Sequence, residues 1–124
     1  MKIVIVEDEV TLSKALQEKF KRSGLETHVA HDGVEALEMI KKTLPDIIAL
    51  DVLIPKKNGF KVLEAIKSDP NLKDIPVFIL SNLGQDEDIK TALRLGAEDY
   101  LVKAQHPINE IVEKFKMRLL KKSK

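Results

Sequence analysis

Short apolar runs alternate five times with stretches whose apolar residues recur every three or four positions. Ile3 to Val6, Ile47 to Leu50 and Val77 to Leu80 are continuous apolar runs rich in β-branched residues, the pattern of strands buried on both faces. Thr27 to Ala30 and Asp99 to Val102 read as two further strands. Between them, Leu12, Ala15, Leu16 and Phe20 keep helical spacing up to a stop at Gly24, and Ala36, Leu37, Ile40 and Leu44 form a second stripe ended by Pro45. Asn58-Gly59 opens a third helix carrying Val62, Leu63 and Ile66 as far as the breaker Asp69-Pro70. Ile89, Ala92 and Leu93 give a fourth helix stopped by Gly96, and a fifth starts near Pro107. In that last helix Ile108, Ile111, Val112, Phe115 and Leu119 form the core stripe, which leaves Met117 and Leu120 outside it. They read equally as a docking or dimer patch and as two scattered exposed residues.

Regular alternation of strands and helices implies a parallel sheet with right-handed crossovers. With five strands, the expected fold is the flavodoxin-like doubly wound (βα)5 three-layer sandwich, strand order 2-1-3-4-5. Its strand order reverses between strands 1 and 3, and ligands of such sheets bind at the carboxyl ends of the strands beside that point. Strand 1 runs into Glu7-Asp8, strand 3 into Asp51, strand 4 into Ser81 and strand 5 into Lys103. Three carboxylates and an ammonium are thereby expected at one edge. The 124 residues suit one domain, expected over 1–120, with Lys121 to Lys124 as a basic tail.

Charge narrows the partners. There are 21 Lys and Arg against 20 Asp and Glu, far from the basic footprint of a nucleic-acid binder. No apolar run approaches the roughly 20 residues that span a bilayer, and Met1-Lys2-Ile3 enters a strand with no signal-peptide pattern. A cytoplasmic protein without membrane insertion is expected. There is no cysteine, so a metal site must use oxygen or histidine. His28, His31 and His106 form no i, i+4 pair and read as structural or surface residues.

Crowded carboxylates repel one another and call for a cation or a perturbed acid. An all-oxygen set, Glu7, Asp8 and Asp51, favours a hard ion such as Mg²⁺. A carboxylate beside such an ion can act as a nucleophile toward phosphorus, while the ion and an ammonium, here Lys103, neutralise the phosphoryl oxygens. The Ser81 hydroxyl would then hydrogen-bond the transferred group.

With these parts in order, the chain resembles a response-regulator receiver domain, the CheY-like module of two-component phosphorelay systems. The carriers are Glu7-Asp8, the segment from Asp51 to Gly59, Ser81, and the segment from Gly96 to Lys103. The resemblance implies that Asp51 is phosphorylated by a sensor histidine kinase, a phosphotransfer protein or a small phosphodonor. It implies Mg²⁺, for which Mn²⁺ can substitute, on Glu7, Asp8, Asp51 and the backbone carbonyl of Leu53, with Ser81 and Lys103 contacting phosphate. It further implies that Ser81 moves toward the phosphoryl group, Tyr100 turns inward, and the surface of helix 4, strand 5 and helix 5 changes its affinity for an output partner. Whether phosphorylation also makes a homodimer stays open. In these terms the chain is a switch and not an enzyme.

The sequence departs from the family pattern at Ala104, where a proline commonly follows the lysine, often through a cis bond, and at Asn82, where a small residue is usual. Leu53 and Leu83 are apolar where polar side chains would orient a hydrolytic water, so slow loss of phosphate is expected. Three other functions compete with this reading. An FMN-binding flavodoxin lacks support, because Glu7-Asp8-Glu9 replaces its phosphate loop and there is one Tyr and no Trp. An aspartyl phosphatase would need a second acid at Leu53 and a cap domain. A receiver-like interaction module that works without phosphorylation is the remaining alternative.

Overall fold

The computed structural model describes residues 1–54, 58–82 and 84–122. The elements follow in the order β1 (Lys2–Val6), α1 (Val10–Arg22), β2 (Glu26–Ala30), α2 (Gly33–Thr43), β3 (Ile47–Leu50), α3 (Gly59–Ser68), β4 (Val77–Ser81), α4 (Asp86–Arg94), β5 (Asp99–Val102) and α5 (Ile108–Lys122). A 3-10 turn over Lys103–Gln105 links β5 to α5. The sheet runs β2-β1-β3-β4-β5 with every neighbouring pair parallel, as the alternation of runs predicts.

Alternation along each strand divides the core in two. Val4, Val6, Ile48, Leu50, Val77, Ile79, Tyr100 and Val102 face α2, α3 and α4, while Ile3, Ile5, Ile47, Ala49, Phe78, Leu80 and Leu101 face α1 and α5. Phe115 of α5 fills the second layer, its ring centroid 5.4 Å from that of Phe20 and 4.8 Å from that of Phe78. Both pairs are tilted, an arrangement aromatic quadrupoles favour.

Helix starts follow local chemistry. Asp32 caps α2 by accepting the Glu35 amide at 2.8 Å, and Asn58 caps α3 by accepting the Lys61 amide at 3.1 Å. Gly24 and Gly96, with φ of +89° and +110°, take the left-handed conformation that ends α1 and α4.

Some sequence expectations need correction. Leu44 does not extend the apolar stripe of α2: the helix stops at Thr43, Leu44 adopts φ +48°, and its side chain is 57 % exposed. The following Pro45 disfavours a helical residue before it, which turns the chain out one position early. Leu93 likewise leaves the core face of α4, 46 % exposed, because Ala92 and the partly buried Ile89 fill that contact. Ser81 does not close β4 from outside but is its last paired residue, opposite Val102. Met117 and Leu120 are exposed as the α5 stripe requires. Among the described residues no helix is long and apolar enough to cross a membrane.

Candidate functional site

Strand parity assembles the site. The register sets Val6 beside Leu50 in neighbouring β1 and β3, so the residues that follow, Glu7 and Asp51, leave adjacent strand ends on the same face. Lys103 follows Val102 at the end of β5, two strands away, and its long side chain reaches back across β4. Its Nζ lies 2.5 Å from Glu7 Oε1 and 2.9 Å from Asp51 Oδ2. Glu7 and Asp51 are buried, and Asp8 beside them is exposed.

Each carboxylate is further fixed. Asp51 Oδ1 accepts the Leu53 amide at 2.9 Å, and Glu7 Oε2 accepts the Glu9 amide at 3.1 Å where α1 begins. Burial pushes the Glu7 carboxyl up to about 7; the Asp51 charge adds to the rise, and the hydrogen bond from Lys103 opposes it. For Lys103 burial works to lower the ammonium, but its hydrogen bonds to Glu7 and Asp51 outweigh that and raise it. A single ammonium thus bridges two buried acids.

The same acids form a candidate cation site. Glu7, Asp8 and Asp51 each offer one oxygen within 4.8 Å of the others, the one such cluster found among the described residues. Three carboxylate oxygens, two of them buried and one open to water, fit a small hard ion that keeps several waters.

Two neighbours shape the pocket. Gly59, first residue of α3, packs so closely on the phosphoacceptor candidate's backbone that an added Cβ would lie 2.5 Å from the Asp51 carbonyl oxygen. Ser81 is fully buried, and its hydroxyl pairs with that of Tyr100, itself only 8 % exposed. Burial raises the Tyr100 phenol, the Asp88 and Asp51 charges add to the rise, and the Ser81 hydrogen bond counters part of it. Tyr100 therefore already sits inward in contact with Ser81, where the sequence reading has it turn inward only after phosphorylation. The reason is local: the ring completes the core beneath α4, and Ser81 satisfies its hydroxyl.

At the departures from the family pattern, Ala104 lies within the 3-10 turn, and the described residues contain no cis peptide bond. The turn is completed by His106, whose Nδ1 is 2.8 Å from Glu110 at the start of α5. Asn82 is exposed. Pro55, Lys56, Lys57 and Leu83 lie outside the described residues, so the water-orienting role assigned to position 83 does too.

Sequence reasoning missed His31. Its Nδ1 lies 2.9 Å from the Glu7 carbonyl oxygen. The signal was available: once β2 is placed beside β1 with Val6 opposite Ala30, the next residues to meet are Glu7 and His31.

Comparison with known proteins gives a consistent result. The family model for the response regulator receiver domain matches residues 3–116. The chain is 38 % identical over 106 residues to a probable transcriptional regulator, ycf27, of Guillardia theta, covering 86 % of this chain and 41 % of that protein. It thus spans well under half the length of that relative. It is similar to the Mn²⁺-bound form of response regulator Rcp1, at 31 % identity and TM-score 0.81, covering 91 % of this chain and 89 % of the other. It is also similar to the phosphorylated cyanobacterial phytochrome response regulator RcpA, at 34 % identity and TM-score 0.81, covering 90 % and 86 %.

Proposed function

The chain belongs to the response regulator receiver domain family, and from that premise we propose that it is a phosphoacceptor switch whose acceptor is Asp51. The observation that carries the reading is the Lys103 ammonium seated between the buried carboxylates of Glu7 and Asp51. It marks the place where negative charge is to be neutralised.

In the proposed reaction an Asp51 carboxylate oxygen attacks phosphorus of a phosphohistidine on a sensor kinase or phosphotransfer protein, or of an acyl phosphate. A P–O bond to Asp51 forms as the bond from phosphorus to the donor nitrogen or oxygen breaks, and the electron pair stays with the donor. Leu53 N–H holds Asp51 Oδ1 and thereby sets the direction of attack. Lys103 turns from the free carboxylate to the phosphoryl oxygens, and Ser81 supplies a hydroxyl to them. Glu7, Asp8, Asp51 and the Leu53 carbonyl would hold Mg²⁺ or Mn²⁺, which would supply charge neutralisation at the phosphoryl group. Leu53 is exposed and apolar and gives no group to orient an attacking water, which supports slow loss of phosphate and a switch in place of turnover.

Because Ser81 is already engaged with Tyr100, the phosphoryl group must compete for that hydroxyl, and the competition couples Asp51 to the surface of α4, β5 and α5. That surface carries Met117 beside an open groove of about 660 Å³ between the start of β5 and α5, which suits an output partner or a second copy of the chain. The receiver unit is assigned to 1–120, in the cytoplasm; of the basic tail expected over 121–124, Lys121 and Lys122 continue α5, and residues 123–124 lie outside the described residues.

A phosphorylation-independent interaction module is the second reading, favoured by the inward Tyr100. The two separate by NMR with Mg²⁺ and beryllofluoride. The phosphoacceptor reading expects shifts at Ser81, Tyr100 and Lys103 in the wild type and none in Asp51→Asn; an unresponsive wild type favours the module.

A further inference from the structure

Glu7 and Asp8 are consecutive, so one peptide plane aims both carboxylates of the proposed cation site. The Glu7 backbone is gripped from β2 through the two peptides that flank it. The Glu7 amide donates to the Ala30 carbonyl at 2.9 Å, continuing the β1–β2 ladder one residue past its end. On the other side the Glu7 carbonyl meets His31 Nδ1 at 2.9 Å, so an imidazole supplies the donor just where β2 leaves the sheet for α2. A carbonyl oxygen has no proton to give, so Nδ1 carries the hydrogen. Asp32, next in the chain, caps α2 through Glu35, which anchors the loop that holds the imidazole.

The Asp8 carboxylate is exposed, and no hydrogen bond or ion pair holds it among the described residues. Its direction is therefore set by its backbone, and the Glu7–Asp8 peptide is the part His31 fixes. Resting on the phosphoacceptor reading, we infer that His31 is a positioning residue for divalent-cation binding, acting through its Nδ1–H bond to the Glu7 carbonyl. It does not touch the ion. It keeps the Glu7–Asp8 peptide from rotating, and so presents the Asp8 oxygen to the site already turned toward it.

The bond dictates which substitutions replace it. An Asn side chain places its amide nitrogen at the same number of bonds from the backbone as His Nδ1, whereas Gln is one bond longer. Titrating Mg²⁺ into wild type, His31→Ala, His31→Asn and His31→Gln, read by the Asp8 and Glu9 amide signals in NMR, tests the inference, with thermal midpoints measured alongside. A single neutral hydrogen bond corresponds to about a three- to tenfold change in affinity. His31→Ala is expected to weaken Mg²⁺ binding by that factor, His31→Asn to restore it and His31→Gln not to, each variant staying fully folded at the titration temperature with a midpoint lowered by no more than one lost hydrogen bond accounts for. Wild-type affinity in His31→Ala overturns the inference, as does equal weakening in the Asn and Gln variants or a loss of affinity that comes with partial unfolding at that temperature. A wild-type chain that binds no Mg²⁺ overturns the phosphoacceptor reading and this inference with it, whereas binding in wild type and His31→Ala alike removes the inference alone.

Discussion

Replacing Gly59 by alanine should damage stability and phosphorylation together, because one contact serves both. The Gly59 amide donates to the Val52 carbonyl at 3.0 Å, drawing the start of α3 onto the end of β3. A methyl group there would lie 2.3 Å from Val52 Cα, 2.5 Å from the Asp51 carbonyl oxygen and 3.0 Å from the Asp51 carbonyl carbon. All three are backbone atoms, and ordinary carbon contacts need about 3.5 Å, so α3 and the Asp51–Val52 segment must part by roughly 1 Å. Overpacking of this kind costs about 1–3 kcal/mol. The stiffer unfolded chain of alanine returns about 0.4–1 kcal/mol, leaving a net loss of up to about 2.5 kcal/mol. The same displacement moves Asp51 away from Lys103, and misplacement by about 1 Å can slow a positioned reaction roughly 100-fold. Urea unfolding measures the first effect, and the initial rate of phosphorylation by acetyl phosphate with Mg²⁺ measures the second. A Gly59→Ala protein with wild-type midpoint and rate would refute the reasoning.

Other expectations come from separate parts of the molecule. The Thr27 hydroxyl is buried with no hydrogen-bond partner among the described residues, so Thr27→Val should stabilise the fold by about 1 kcal/mol in urea; destabilisation would mean that the hydroxyl is satisfied. Glu7 has a folded pKa of about 7 against an ordinary 4.5, so the native state binds the extra proton between these values. Its contribution to the stability of the metal-free protein should therefore fall as pH rises from about 4.5 to about 7, by at most about 3 kcal/mol, and level off above. Glu7→Gln should flatten that slope, and an equally steep slope in the variant would locate the titration elsewhere. Tyr100 is the one tyrosine of the chain, so its phenolate absorbance can be titrated directly. Its midpoint should lie above 10, and Ser81→Ala, by removing the bond that lowers it, should push it higher; a fall would contradict the Ser81–Tyr100 pairing.

The fold was legible because burial on both faces leaves an unmistakable mark: Ile3 to Val6 and Ile47 to Leu50 are apolar at every position, and strand parity then brings Glu7, Asp51 and Lys103 to one edge. Helix ends were less legible. Leu44 fits the apolar period of α2, but Pro45 closes that helix before it, and Leu93 fits the period of α4, whose core contact Ala92 and Ile89 already fill; periodicity carries neither fact. His31 depends on a register between two strands, visible only after the sheet order is drawn. Gly59 looked like a helix opener, whereas its lack of a side chain matters for the Asp51 backbone beneath it. The inward Tyr100 depends on a pair of hydroxyls from neighbouring strands, and spacing along the chain does not say which rotamer packs.

The central claim is that Asp51 accepts a phosphoryl group in a pocket completed by Glu7, Asp8 and Lys103. Intact mass after incubation with acetyl phosphate tests it, with and without Mg²⁺, for wild type and Asp51→Asn. One phosphoryl increment is expected in the wild type with Mg²⁺ and none in the variant or after chelation. An increment that persists in Asp51→Asn, or a wild type that never gains one, would contradict the account.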